Sequence, residues 1–533
     1  MGETTVVKPH PDSGSGSVIN VTNPQTGEKI YSLTEPSVDD IAASFDKARG
    51  AFQTIRAMSV GERLAELEKL KRYFLDNKDH IVNRVVEETG KSKMDALTSE
   101  VFTILDVIDY YIKNAEKHLR PVKVATPIIL FPKKSRIYYE PLGTVLVISP
   151  WNYPMNLAWL PILTAFVAGN SIVFKPSEWT PLKGLMEDII RDSGFMKDAI
   201  QIVYGGKDTG RKLIDQKPAR IMFTGSTRAG KQIMKQAADH LIPVELELGG
   251  KDPMVIFDDA NIDRAAHAAT WGGILNCGQT CTSVERVLVQ DKVYDEFVSN
   301  LRGKMAKLTT YQTQEGVPDE GNMDVGVMTA PFQVEQVVDQ IEDAKTRGAT
   351  IQTGGERVGD SHCVQPTLIT DVDDTMKVVT EETFGPVISV QKFSTEDDAI
   401  RMANDSQYGL SASVWTADTT RAERMAHNIE TGNVSINNVL ATQVNSALPY
   451  GGTKESGFGR YKGPHGLHAF SNIKSVLSDG TSQREIFWYP YSKEKYALMS
   501  KMLDAIYDGG PLWLLKLLPI AGKLQSMAKK SGF

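Results

Sequence analysis

Cys281 closes the run Asn276-Cys277-Gly278-Gln279-Thr280-Cys281. A thiol after a Gly-Gln turn is a candidate nucleophile, provided something stabilises its thiolate. Glu247 lies 34 residues earlier, in Glu245-Leu246-Glu247-Leu248-Gly249-Gly250-Lys251. Strand alternation puts Glu245 and Glu247 on one face, and burial there lifts a carboxyl toward the neutral range, where it can serve as a general base. Two further stretches suit a phosphate or a ribose. Phe223-Thr224-Gly225-Ser226-Thr227-Arg228-Ala229-Gly230 reads as a strand ending in Gly-Ser-Thr with a helix behind it. A helix N-terminus offers backbone N–H groups to an anion. The GxxxxG spacing is neither GxGxxG nor a Walker loop. Lys175-Pro176-Ser177-Glu178 follows another apolar run. A lysine there can hold a ribose hydroxyl or a phosphate, and a carboxylate can bind a ribose 2′-hydroxyl while repelling a 2′-phosphate. Taken singly, each stretch also fits a plainer role: an inert buried thiol, a structural ion pair, a tight turn, a solvated loop. No His or Cys cluster accompanies the three cysteines, so no metal site is expected.

Such groups need strand ends to carry them. From residue 143 the chain alternates apolar strands (144–150, 171–176, 199–205, 219–226) with helical stretches such as 155–168. That repetition predicts an α/β fold with a doubly wound parallel sheet, whose ligands bind at the carboxyl ends of the strands. The rule points to Ser149–Asn152, Lys175–Glu178 and Gly225–Ser226. A second α/β series starts near residue 250 and runs to about 450, which predicts two α/β domains sharing a cleft. Residues 36–115 carry a helical pattern, with Ser37 before Asp39 and Asp40 as one start signal. Residues 118–140 read as an inserted hairpin.

The 533 residues hold 59 Lys+Arg against 66 Asp+Glu, a net charge of −7, which argues against a general nucleic-acid binder. Three cysteines exclude a disulfide scaffold and fit a reducing, cytoplasmic setting. Residues 1–17 lack an apolar core and read as a flexible tail rather than a secretory signal. No run of 18 apolar residues is long enough to span a bilayer. The other end differs. Residues 511–524 (PLWLLKLLPIAGKL) are apolar but interrupted by Lys516 and Pro519, and four lysines with no acid follow Asp508. This composition fits a segment lying on an anionic membrane, and equally a helix packed on protein. Residues 494–507 carry apolar side chains at helical spacing and predict the preceding helix.

Taken together the motifs narrow the choice. Phe-Thr-Gly-Ser, Glu-Leu-Gly-Gly-Lys and Gly-Gln-Thr-Cys occur in that order. They are joined by Pro150-Trp151-Asn152-Tyr153-Pro154, Glu381-Glu382-Thr383-Phe384-Gly385-Pro386-Val387 and Pro449-Tyr450-Gly451-Gly452-Thr453-Lys454-Glu455-Ser456-Gly457. Over about residues 18–480 the chain resembles the NAD(P)-dependent aldehyde dehydrogenase superfamily. The resemblance implies Cys281 as nucleophile, Asn152 with the Cys281 N–H as oxyanion donors, and Glu247 as the base that activates water. It implies that Lys175 and Glu178 meet the adenosine ribose, Gly225 and Ser226 the pyrophosphate, Glu382 and Phe384 the nicotinamide ribose, and that Trp151 lines the cofactor end. Lys251 is expected to be structural. NAD is the implied cofactor, with NADP possible.

The implied organisation is an NAD-binding domain (18–117 and 141–249), a catalytic domain (250–450), and a β-hairpin oligomerisation element (118–140 and 467–482) serving a homodimer or homotetramer. Residues 483–533 form a C-terminal extension. Fatty-aldehyde members carry a comparable apolar extension, which implies a medium- to long-chain or aromatic aldehyde and peripheral membrane contact through 508–533. Tyr153, Leu157 and Leu160 are candidate tunnel residues, and Arg286 is the one arginine near Cys281 in sequence. A CoA-acylating semialdehyde dehydrogenase and a non-catalytic NAD-binding protein stand as alternatives.

Overall fold

The computed structural model describes residues 16–314, 317–480, 484–508 and 510–530. The flexible tail expected over residues 1–17 lies almost wholly outside them. The chain forms two compact units, one of Met1–Arg120 with Tyr139–Ile473, the other of Pro121–Tyr138 with Lys474–Phe533.

The larger unit holds two large sheets, beside the two-stranded pairs Val18–Thr22 with Lys29–Thr34 and Tyr408–Gly409 with Thr453–Lys454. The first has six strands in the order Gly457–Phe458, Val244–Glu247, Arg220–Thr224, Thr144–Ile148, Ser171–Lys175, Ile200–Ile202. The pairs are parallel except at the first edge. Alternate residues of these strands point to opposite faces, and both faces are covered. Val145, Val147, Phe174 and Met222 pack with helices Val60–Asp76, Thr103–Leu119 and Asn156–Val167. Leu146, Ile148, Val173, Ile221, Phe223 and Leu246 pack instead with Ile41, Phe45 and Ala48 of helix Val38–Ile55 and with Ala237. That helix starts where the sequence signals it. Ser37 Oγ accepts the Asp40 N–H at 3.1 Å, and the Asp40 carboxylate accepts the Ser37 N–H at 3.0 Å.

The second sheet has seven strands in the order Thr350–Thr353, Thr367–Thr370, Val387–Phe393, Val284–Gln290, Asp252–Ile256, Ser411–Trp415, Asn433–Ile436. Only its first pair is antiparallel. It too is buried on both faces. One element has no sequence signal. Gly457–Phe458 pairs antiparallel with the Glu247 strand, Gly457 opposite Glu247. Two residues are too few for periodicity to reveal. Gly457 has φ +103°, and a Cβ there would stand 2.0 Å from Leu246 O, so the pairing needs glycine.

In the smaller unit Val122–Val124 pairs antiparallel with Lys134–Pro141, so the expected hairpin forms, with a short helical turn at Ile128–Leu130 between its arms. Helix Lys493–Tyr507 packs on helix Trp513–Lys530 through Met502, Ala505, Leu517 and Leu524. The second helix runs through Pro519 rather than breaking there, at the loss of one backbone hydrogen bond. Among the described residues no helix is long and apolar enough to cross a membrane.

Candidate active site

Cys281 sits on a loop whose backbone is fixed at every step. Helix Ile262–Ile274 ends, and Asn276 and Cys277 follow in the left-handed region at φ 55° and 56°. Such a conformation in non-glycine residues persists only where surroundings enforce it. Here the Asn276 N–H donates to Asp95 Oδ2 at 2.9 Å, and Gln279 Nε2 donates to Asn276 O at 3.0 Å. Gln279 Oε1 accepts the Thr329 N–H at 2.9 Å. A Cβ on Gly278 would lie 1.9 Å from Gly385 O. The half-buried Cys281 thiol then faces the Tyr450 hydroxyl at 3.6 Å. Burial, and after it the charges of Asp252, Glu382 and Glu247, push this thiol up to about 12, while the hydroxyl pulls the other way.

Asn152 reaches the same loop from strand Thr144–Ile148. Its Nδ2 donates to Gln279 O at 2.9 Å, using one of the two amide N–H groups. Its backbone carbonyl accepts from Lys91 Nζ at 2.7 Å and from Asn276 Nδ2 at 3.0 Å. Lys91 is fully buried against Glu100 at 2.6 Å. The other Glu100 oxygen accepts the N–H groups of Met155 and Asn156 at 3.1 and 2.9 Å, where helix Asn156–Val167 begins. Glu100 lies on a π-helical turn, Leu97–Phe102, a form common at functional sites.

The two glutamates that alternation placed together have different fates. Glu245 is paired with Arg220. Glu247 is buried, and neither carboxylate oxygen has a hydrogen-bond partner among the described residues. Burial therefore drives its pKa well above the ordinary carboxylate range, against the attraction of Arg460.

Glu382 approaches from the other sheet. Its carboxylate accepts the Gly250 N–H at 3.0 Å. A Cβ on Gly249 would stand 2.2 Å from that carboxylate, so the Gly249-Gly250 turn admits it. Burial and the nearby Glu285 charge raise Glu382 to about 8. Lys251 is fully buried and donates to Glu285 at 2.6 Å and to Thr383 Oγ1 at 2.8 Å. Glu285 in turn accepts the N–H groups of Thr383 and Phe384, both at 2.8 Å. Lys251 thus anchors the Glu382-Thr383-Phe384 turn.

One cavity of about 640 Å³ is lined by Cys281, Glu247, Asn152, Trp151, Lys175, Glu178, Gly225, Ser226, Glu382 and Phe384. The ten residues named from the sequence as catalytic or cofactor-binding thus reach a single cleft. Ser226 caps helix Thr227–Ala238, whose N-terminus faces this space. Lys175 Nζ and Glu178 Oε2 lie 3.6 Å apart. A twelve-residue helix opening on the cleft, the adjacent carboxylate, and a buried Ser149 Oγ without a partner among the described residues suit a pyrophosphate with ribose hydroxyls.

Residues 11–476 match the family model for the aldehyde dehydrogenase family. The chain belongs to this family. It is 40% identical over 496 residues to a 4,4′-diapolycopene aldehyde oxidase from Methylomonas sp., with 92% of each chain covered. Among solved structures it is similar to a betaine aldehyde dehydrogenase from Staphylococcus aureus in complex with NAD+ (TM-score 0.82, 31% identity, 89% of this chain and 94% of that one). It is also similar to an E. coli NADP-dependent enzyme (TM-score 0.82, 30% identity, 87% and 95%).

Several residues of this aldehyde dehydrogenase site had no sequence signal. Phe332 meets Trp151 edge-on at 6.1 Å and Trp179 at 5.5 Å, yet it stands far from every motif, at the start of helix Pro331–Thr346. Tyr450 and Lys462 close around Cys281. The first lies inside a motif noted in the sequence, but with no role attached to it. Of the tunnel candidates, Leu157 lines the cleft, Tyr153 bonds Thr280 Oγ1 at 2.6 Å, and Leu160 belongs to the core. Arg286 is spent on the carbonyls of Lys251, Met402 and Ala403. Among the described residues no cluster of His, Cys, Asp or Glu could hold a metal ion.

Proposed function

We propose that this chain oxidises apolar aldehydes to carboxylic acids with NAD(P)+, through a thioester on Cys281. The observation that carries the reading is the convergence of a thiol, an unpaired buried carboxylate and a dinucleotide-shaped cleft in one cavity. Lys175, Glu178, Gly225 and Ser226 hold the nucleotide, and Glu382, Phe384 and Trp151 hold its reacting end. Bound there, the nicotinamide supplies the acceptor for hydride. Cys281 attacks the carbonyl carbon, and the Asn152 amide with the Cys281 N–H binds the oxygen as it becomes charged. One such donor is worth about 2.7–4 kcal/mol in the transition state. Glu247 takes a proton from water, the hydroxide adds to the acyl carbon, and the Cys281 thiolate leaves. The Glu178 carboxylate favours NAD over NADP. Residues 18–117 with 141–249 form the NAD-binding domain, which also supplies Asn152 and Glu247 to the chemistry, and 250–450 form the catalytic domain that carries Cys281.

A second cavity, of about 670 Å³, offers the aldehyde a way in. Tyr110, Trp271, Val439, Leu440 and Val444 line it, beside Asp106 and Asp109. Val444 follows Gln443, whose Oε1 accepts from Thr282 Oγ1 at 2.9 Å, and Thr282 follows Cys281 in the chain. The cavity's one lysine, Lys113, is paired with Asp109, and Arg286 is committed elsewhere, so neither offers itself to a carboxylate substrate. The diapolycopene aldehyde in the name of one relative supports the same apolar preference. The test is NADH formation along a ladder from acetaldehyde to hexadecanal, beside benzaldehyde and succinate semialdehyde, with and without CoA. We expect kcat/KM to rise with chain length and CoA to change nothing. Turnover confined to succinate semialdehyde would sink the apolar reading, and dependence on CoA would sink hydrolysis.

The extension from residue 508 is proposed to rest on an anionic membrane surface at the cytoplasmic side. Helix Trp513–Lys530 contains four lysines and no acid, and it leaves Leu514, Leu515 and Leu518 exposed while Leu517 and Leu524 are buried. Such lysines contribute about 1 kcal/mol each near an anionic surface. The full chain should sediment with phosphatidylserine-containing vesicles at low salt, and not with phosphatidylcholine alone. Equal recovery in both supernatants would reject the contact. In the hairpin sheet every residue of edge strand Val122–Val124 is exposed, which supports pairing between subunits in a dimer or tetramer.

A further inference from the structure

Tyr450 is almost wholly buried, and a buried phenol needs a hydrogen-bond partner. Among the described residues its hydroxyl has one, Cys281 Sγ at 3.6 Å. The ring cannot turn away. The Tyr461 N–H donates to Tyr450 O at 3.2 Å, and the Tyr461 ring stands edge-on at 5.8 Å. The next residue, Gly451, has φ +158°, and a Cβ there would stand 2.3 Å from Gly459 O. Behind the ring lies Lys462, its Nζ 5.2 Å from the ring centroid and donating to Gln443 O. The groups that face the sulfur are therefore Asp252, Glu247 and Glu382, which oppose negative charge on it, and Tyr450 with Lys462, which favour it.

While the sulfur is a thiol, either atom of the pair can donate. A thiolate can only accept, so the phenol must then supply the proton of the hydrogen bond. Burial, and then the neighbouring sulfur's charge, hold the phenol far from ionising, so its proton stays on oxygen. Burial lowers Lys462 to about 8, and below that pH its ammonium on the ring face draws electron density from the phenol and strengthens it as a donor.

We propose that Tyr450 is a catalytic residue, whose hydroxyl donates to Cys281 Sγ whenever that sulfur carries negative charge. This rests on the reading of Cys281 as nucleophile. The thiol proton leaves to water, and Tyr450 donates to the thiolate that remains. As sulfur attacks, the S–C bond forms, the carbonyl π pair moves to oxygen, and the hydrogen bond weakens. In hydrolysis the O–C bond forms, the C–S bond breaks, its electron pair returns to sulfur, and Tyr450 donates again. Acylation gains through a larger thiolate fraction, and deacylation through a better leaving group.

The test is the rate of iodoacetamide alkylation of Cys281 near neutral pH, well below the raised pKa of the thiol, read by peptide mass spectrometry so that Cys277 and Cys363 are scored apart. Tyr450→Phe keeps the ring and its packing. Its alkylation rate should fall about tenfold, equal to ~1.4 kcal/mol. Lys462→Met should lower the rate by less. Unchanged rates in both folded variants would overturn the proposal, as would a faster rate in either. Cys281→Ala separates the two readings. Turnover surviving in that variant removes the nucleophile itself, whereas an unchanged alkylation rate beside a dead Cys281→Ala removes only the role of Tyr450.

Discussion

Cys281→Ala should lower kcat/KM for any aldehyde by at least about 10⁴-fold, the scale on which enzymes lose activity with their nucleophile. Nucleotide affinity should change little. Lys175, Glu178 and Ser226 lie on strand ends and a helix cap of the first sheet, and none of them hydrogen-bonds the cysteine. Intrinsic fluorescence gives a direct readout, because Trp151 and Trp179 line the cleft. The expected pattern is therefore a protein that still binds NAD+ and forms no NADH. Turnover within tenfold of the unaltered protein would mean that another group attacks the aldehyde.

Glu247→Gln should leave the first turnover and stop the rest. A burst of about one NADH per subunit, followed by a steady state about 10²–10⁴-fold slower, is the signature of a thioester that no base helps to hydrolyse. The same substitution should change the response to pH. The Glu247 carboxyl is held well above its ordinary value by burial, so the folded chain keeps a proton that the unfolded chain releases near pH 4.3. Its contribution to stability is full below that pH and is lost as pH rises toward the folded value. Glutamine never ionises. The variant should therefore unfold at a higher temperature than the parent at pH 8 and at the same temperature at pH 4. In the parent, deacylation should quicken with pH as Glu247 ionises, and in the variant this rise should be absent. An unchanged burst and steady state would assign the base elsewhere.

Much of this arrangement was legible because parallel strands buried on both faces are continuous apolar runs that end in short polar turns. Thr144–Ile148 ends before Trp151 and Asn152, Ser171–Lys175 runs into Glu178, and Arg220–Thr224 runs into Gly225 and Ser226. The fold gathers those ends, so a reading of the turns is a reading of the cleft. Glu245 and Glu247 could not be told apart, since they share a face and a residue type. The Arg220 side chain decides between them, and it comes from a neighbouring strand. Tyr450 and Lys462 were opaque for the same reason. A tyrosine before two glycines says nothing of a sulfur 169 residues away. Pro519 interrupts the apolar run without ending the helix, because Leu517 and Leu524 on either side are both buried in its packing.

The two-residue strand Gly457–Phe458 has a consequence for the order in which the enzyme is made. It docks on a strand synthesised roughly 210 residues earlier, and it accompanies Tyr450 and Lys462 into place beside the thiol and Arg460 toward Glu247. A chain emerging from the ribosome at about 5–20 residues per second carries its cysteine and both nucleotide-binding turns for many seconds before this segment exists. During that time the sheet edge beside Glu247 has no neighbour, and the thiol has neither its hydroxyl nor the ammonium behind it. The newborn protein can place neither a hydroxyl on its sulfur nor a partner strand beside Glu247. The site is completed last, when the closing strand seats, and a chain that stops short of it lacks the groups that set its nucleophile.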